Sequence, residues 1–143
     1  MSNKIRLYIS SISENEAFAR NAISLFMLPL NPTLSELSDV KTAVSEAVTN
    51  AIVHGYPDSA GEIEIIAEID GKDLHIEISD CGVGIDDLEK ALEPFYSTKV
   101  ESERSGMGFT IMKTFMDDVS VVSKLNSGTT VKMTKKINQN SAR

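Results

Sequence analysis

Three short clusters in this 143-residue chain combine residue types that can do chemistry. The first is Glu46 and Asn50, a carboxylate and a carboxamide four positions apart, with His54 four further on. On a helix that spacing holds neighbours within ~40° of one another, so the three share one polar stripe. Such a stripe beside Ala47 and Ala51 faces something other than the core; either solvent or a ligand satisfies it. The second cluster is Asp80-Cys81-Gly82-Val83-Gly84, directly after an alternating run. An aspartate at a strand end can accept two donors, and the two glycines let backbone approach a flat ligand closely. A plain turn has the same composition. The third is Ser105-Gly106-Met107-Gly108-Phe109, a glycine pair where a helix opens. Free amides at a helix start, helped by the dipole, favour an anion. Lys99 and Arg104 precede it and could neutralise phosphate charge; an ordinary loop with a glycine cap is the alternative. Gly128-Thr129-Thr130, entering the last strand, carries nothing by itself.

The elements that must position these clusters follow from periodicity. Ile5, Leu7 and Ile9 alternate with polar residues and predict a strand over 4–9. Ser13 and Glu16 have capping-box spacing and open a helix expected to reach Leu28, closed by Pro29 and Pro32. Thr33 and Glu36 repeat the box for a longer helix to about His54. Its apolar positions Leu34, Leu37, Val40, Val44, Ala47, Val48 and Ala51 form one stripe to be buried. After Gly55, Ile63 to Ile69 and Leu74 to Ile78 read as strands joined by an Asp70-Gly71 hairpin signal. A short acidic helical stretch is expected over 86–92, then an aperiodic loop over 94–108. Loops that long in small domains usually serve function. A helix over 109–116 and strands over 119–124 and 129–134 complete the pattern, with a frayed tail at 138–143. One domain, 1–137, is expected: α+β, a two-layer sandwich with helices on one face of a mostly antiparallel sheet. No G-x-x-x-x-G-K-[ST] occurs, so a nucleotide must be held in another way.

Composition narrows the classes. Hydrophobic residues make 41% and charged residues 24%, a globular balance. Fourteen basic against 21 acidic side chains give 14 − 21 = −7, which argues against direct nucleic-acid binding. The single cysteine, Cys81, excludes an internal disulfide or a Cys-built zinc cluster and fits a reducing cytoplasm. No apolar run reaches the ~18 residues a membrane span needs, and residues 1–4 do not open a signal peptide. A cytoplasmic protein with no membrane partner is expected.

Taken together, E-x-x-x-N-A, D-x-G-x-G, a long loop, G-x-G and G-T-T form a specific order. With the stretches Ser13–Arg20, Val44–Ala51 and Glu103–Thr110, the chain resembles the GHKL ATPase/kinase superfamily, and within it the anti-sigma-factor serine kinases. The resemblance spans almost the whole chain and implies the Bergerat ATP-binding sandwich, with a mixed sheet, ATP or ADP, and Mg²⁺. It makes Asn50 the Mg²⁺ ligand, a neutral oxygen suited to a hard cation, and Glu46 the general base toward an attacking serine. Asp80 matches the acceptor for the adenine amino group, with Thr130 beside it, while Gly82 and Gly84 let the loop pass the nucleotide. Gly106 and Gly108 match the hinge and phosphate-facing helix start. Thr98, Lys99, Arg104 and Ser105 fall in the ATP lid, although Tyr96-Ser97 departs from the family's usual residues there. Arg20 matches an arginine that contacts protein partners. The implied function is sequestration of a sporulation sigma factor of the sigma F type, together with phosphorylation and inactivation of an anti-anti-sigma factor by a homodimeric serine kinase. Two alternatives stay open: a kinase for a stress-response sigma factor, and a nucleotide-gated sigma-binding module without catalysis. Glu46 bears on the second, since a pure binder needs no carboxylate beside the metal asparagine. A two-component histidine kinase would need a phosphoacceptor histidine on a dimerisation helix, and neither His54 nor His75 lies in one.

Overall fold

The computed structural model describes residues 2–85 and 108–138. Strand β1 (Ser2–Ser10) leads into α1 (Glu14–Phe26), a single 3-10 turn over Leu28–Leu30, and α2 (Leu34–Asn50). Strands β2 (Glu62–Asp70) and β3 (Asp73–Asp80) follow, then α3 (Gly108–Phe115), β4 (Asp118–Lys124) and β5 (Gly128–Lys136). The acidic stretch expected over 86–92 lies outside the described residues.

The two capping boxes behave differently. At α2 the box forms in full: the Glu36 N–H donates to Thr33 Oγ1 (3.0 Å) and the Thr33 N–H to Glu36 Oε1 (2.9 Å). At α1 it does not. Ser13 sits in helical backbone geometry with no capping bond from its side chain, and the Glu16 carboxylate pairs with Arg20 instead. A capping hydroxyl must come from a residue outside the helical region, as Thr33 does.

The five strands run in the order β1-β2-β3-β5-β4, and every neighbouring pair is antiparallel. The sheet is therefore wholly antiparallel among the described strands rather than mixed. The β2–β3 hairpin turns on Gly71 at φ +65°, with Asp70 opposite Asp73. Glycine is thus the first central residue, as in a type II′ turn, not the second of an Asp-Gly type I′ turn. One sheet face buries Ile63, Ile65, Ala67 and Ile69 from β2, Leu74, Ile76 and Ile78 from β3, and Val131 and Met133 from β5. Against it lie Ile23, Met27, Val40, Ala43, Val44, Val48 and Met112 of the helical layer. A one-residue slip would turn every one of these strand residues outward, which fixes the register. Leu34, expected in the buried stripe, is 85% exposed; as the first residue of α2 it borders a groove against α1.

Asn138, expected to begin a frayed tail, is tied down: its N–H donates to Glu36 Oε2 (2.9 Å) and its carbonyl accepts from Lys72 Nζ (3.2 Å). No described helix is long and apolar enough to cross a membrane.

Candidate functional site

The first cluster lies along the C-terminal half of α2. Glu46 is 2% exposed, so the stripe shared with Asn50 is not a solvated face. The Nδ2 of Asn50 is buried with no hydrogen-bond partner among the described residues. An unsatisfied buried amide costs on the order of 1–3 kcal/mol, which a structure tolerates where a ligand completes the bonding. Gly108 closes over this amide. A Cβ at Gly108 would stand 3.0 Å from Asn50 Nδ2 and 3.3 Å from Oδ1, a tight contact that a side chain could make only with a small shift of the asparagine. The first residue of α3 therefore lies against the Asn50 side chain, at the positive end of the helix dipole.

The helix does not stop at Asn50. Residues Ala51–Gly55 continue it as a π-turn, with the Tyr56 N–H donating to the Ala51 carbonyl at 3.2 Å. That wide turn delivers Gly55 against the second cluster. A Cβ on Gly55 would fall 2.7 Å from Asp80 Cγ, and one on Gly82 would fall 1.8 Å from the Gly55 carbonyl oxygen. The Val83 N–H donates to that same oxygen at 2.9 Å. Asp80 is 8% exposed, with Oδ1 accepting from the Gly82 N–H at 2.9 Å. Burial pushes its carboxyl above the ordinary carboxylate range, and backbone bonds from Gly82 and Thr129 oppose that rise. Gly84 adopts φ +76° and packs on the Lys124 carbonyl.

The structure thus sets Gly108 beside Asn50, with Glu46 one helical turn earlier, and packs Gly55 and Gly82 on Asp80, the two groups being joined by the π-turn. A desolvated carboxylate among bare backbone can accept from an amino group on a flat heterocycle; the asparagine end suits a cation-bound anion. Thr130 is a correction. It pairs with Ser79, their hydroxyls 2.9 Å apart, whereas Thr129 is the register partner of Asp80. Because strand side chains alternate, Thr130 points to the opposite sheet face and Thr129 shares the face of Asp80. Arg20 lies apart on α1, bonded to Glu16 at 2.6 Å. Thr98, Lys99, Arg104, Ser105 and Gly106 lie outside the described residues. Sequence reasoning missed Gly55, Tyr56 and Thr129. Gly55 had been read only as a helix stop, and nothing in the sequence signals a π-turn.

A sequence profile for the histidine kinase-like ATPase domain matches residues 11–135. The chain is 50% identical over 143 residues to the anti-sigma F factor of Anoxybacillus flavithermus, covering 99% of this chain and 98% of that one. It is 53% identical over 139 residues to the anti-sigma F factor of Clostridium perfringens, covering 96% and 99%. The chain belongs to the anti-sigma F factor family. The domain of this family is a histidine kinase-like ATPase fold, and the sandwich described above has that architecture. Among solved structures, the RsbU and RsbW domains of a Mycobacterium tuberculosis protein match at TM-score 0.68 and 16% identity, over 94% of this chain and 32% of that one. The blue-light activated histidine kinase of Erythrobacter litoralis matches at TM-score 0.54 and 20% identity, over 75% and 33%. Those two likenesses concern the fold alone. An ATPase fold implies a nucleotide.

Proposed function

We propose that this anti-sigma F family member sequesters a sigma factor of the sigma F type and, as an ATP-dependent protein serine kinase, phosphorylates its anti-anti-sigma factor. The observation that carries the kinase reading is Glu46, a carboxylate 2% exposed, one helical turn before the unsatisfied Asn50. A general base needs a carboxylate close to the phosphate end, whereas a binding module has no chemical use for one there.

In this reading Asp80 accepts from the adenine amino group, and the absence of side chains at Gly55 and Gly82 lets their backbones pack directly against Asp80 and each other, which fixes the carboxylate. The Asn50 amide oxygen, together with the nucleotide phosphates, would hold Mg²⁺, and the ion would supply charge neutralisation at the phosphoryl group. Asn50 suits this metal because Mg²⁺ takes one or two protein ligands beside phosphate. The first amides of α3, beginning at Gly108, donate to phosphate oxygens. Glu46 takes the proton of the substrate serine as its oxygen bonds to phosphorus and the bond to the departing ADP oxygen breaks. Thr98, Lys99, Arg104, Ser105 and Gly106 complete the phosphate end from the lid, and Arg20 receives the protein partners.

Glu46→Gln tests the reading, since it keeps shape and hydrogen bonding but cannot take a proton. ATP affinity is expected to survive, while transfer of label from γ-labelled ATP to the anti-anti-sigma factor drops by about 10²-fold or more. Undiminished transfer would remove the base from the mechanism. No transfer by the unaltered protein would leave a nucleotide-gated binder.

A further inference from the structure

We infer that Tyr56 is a positioning residue that sets the base specificity of the site by fixing the height of the Asp80 loop. The inference rests on Asp80 being the acceptor for the adenine amino group. Three consecutive amides follow Asp80, and each has a dedicated acceptor. The Cys81 N–H donates to the Tyr56 hydroxyl at 2.8 Å, the Gly82 N–H to Asp80 Oδ1, and the Val83 N–H to the Gly55 carbonyl. Two of the three acceptors therefore come from one dipeptide, Gly55-Tyr56, at the end of the π-turn.

The hydroxyl is used in both directions. It accepts from Cys81 and donates to the Glu62 carbonyl at 2.8 Å, at the start of β2. Burial raises its pKa above the ordinary 10.0, so the proton needed for that donation stays in place at neutral pH. The ring is also held in place from beneath. It lies over Gly61, where a Cβ would stand 2.2 Å from Tyr56 Cε1. Gly61 in turn is fixed by Ser11, whose N–H donates to the Gly61 carbonyl (2.9 Å) and whose Oγ accepts from the Gly61 N–H (2.8 Å). Tyr56 thus ties the Asp80 loop to the frame of the sheet through fixed backbone.

A hydrogen-bonding carboxylate discriminates between ligands only when it is held in place. Asp80 ends β3, and the Gly82 N–H of the following loop holds its Oδ1; with that loop free to shift, the carboxylate can turn away from a base that offers a carbonyl where adenine offers an amine. Loss of the Tyr56 hydroxyl leaves the Cys81 N–H and the Glu62 carbonyl without these partners and lets the loop move.

The test is calorimetry on the full chain with ADP and inosine diphosphate, which carries a 6-oxo group in place of the 6-amino group. The unaltered protein should prefer ADP. In Tyr56→Phe, ADP affinity should fall by about tenfold while inosine diphosphate affinity stays within about twofold, so the preference shrinks by about tenfold. Gly61→Ala should give the same signature by pushing the ring aside with the hydroxyl still present. Equal losses for both nucleotides would mean Tyr56 only packs the fold, and an unchanged preference would mean the loop holds itself; either overturns the inference. Failure of both variants to show a cooperative thermal transition would make Tyr56 part of the fold and overturn it as well. An unaltered protein that bound the two nucleotides equally would overturn the Asp80 assignment and this inference with it. Strong discrimination kept by both variants would sink the Tyr56 inference alone.

Discussion

Asp80 keeps 8% of its surface in contact with solvent, and burial pushes its carboxyl above the ordinary 3.8 against two backbone N–H bonds that stabilise its charge. A raised folded-state value means the folded protein binds more protons than the unfolded chain from 3.8 upward to that raised value. Stability from this group therefore falls as pH rises through the window. Asp80→Asn removes the titration. We expect the melting temperature of the nucleotide-free variant, relative to the unaltered protein, to increase as pH is raised from 3.8 toward neutrality; a constant difference would contradict the sign. ADP affinity should meanwhile fall by about 2 kcal/mol or more, because an amide nitrogen would face the adenine amine. Undiminished calorimetric binding would displace Asp80 from base recognition. At this scale the sequence was partly legible. Asp80, Gly82 and Gly108 stood out by type and spacing. The choice between Thr129 and Thr130 depended on register with β3, a long-range property that one strand read alone does not carry.

Helix starts make the same point about elements, for the two capping boxes share a spacing and differ in outcome. Thr33 lies in extended backbone, and its hydroxyl accepts from the N3 amide; Ser13 is already helical and makes no such bond. Thr33→Ala should destabilise the protein by about 1 kcal/mol in urea denaturation, while Ser13→Ala should stay within about 0.5 kcal/mol. Equal costs would show that Ser13 caps in solution. The motif was legible, but the approach angle of the chain was not: Asn15 Nδ2 donates to the Ser10 carbonyl and draws the entry to α1 into a tighter path. The end of α2 was legible only as a stop at Gly55. A π-turn leaves no compositional mark, because its cause is tertiary: Gly55 must reach both Asp80 and Gly82, and the wider turn puts it there. Gly55→Ala is therefore expected to do more than the ~1 kcal/mol of an ordinary glycine change, since its methyl would meet the Asp80 carboxyl at 2.7 Å. ADP affinity should fall at least about tenfold; normal binding in a folded variant would show that the turn has slack.

At the scale of the whole molecule, a net charge of −7 gives the protein little to offer DNA, so in the proposed role inhibition would act by covering the sigma factor. The charge is not uniform. Arg20 and Lys41 border a groove of about 540 Å³ between α1 and α2, together with Leu25, Leu28, Leu34 and Ser45. Leu25 and Leu34 are 67% and 85% exposed there, apolar surface that a partner helix could cover. Among the described residues Arg20 pairs with Glu16 in a half-buried i, i+4 ion pair, a type worth a few tenths of a kcal/mol on helices, so a partner carboxylate can redirect it at small cost. The groove also reaches Ser45 on α2. If the sigma factor and the anti-anti-sigma factor both use it, they exclude one another, and phosphorylation would add nearly two negative charges to a product lying on an acidic protein and favour its release. Arg20→Glu should then weaken both complexes by about tenfold or more in surface plasmon resonance, with the loss shrinking at high salt. ADP affinity should hold within about twofold, because the groove that Arg20 lines includes neither Asn50 nor Asp80. Unchanged affinity for both proteins would separate the groove from the regulatory surface even in an active kinase, whereas loss of only one complex would show that the two partners dock on different faces and that competition must arise elsewhere.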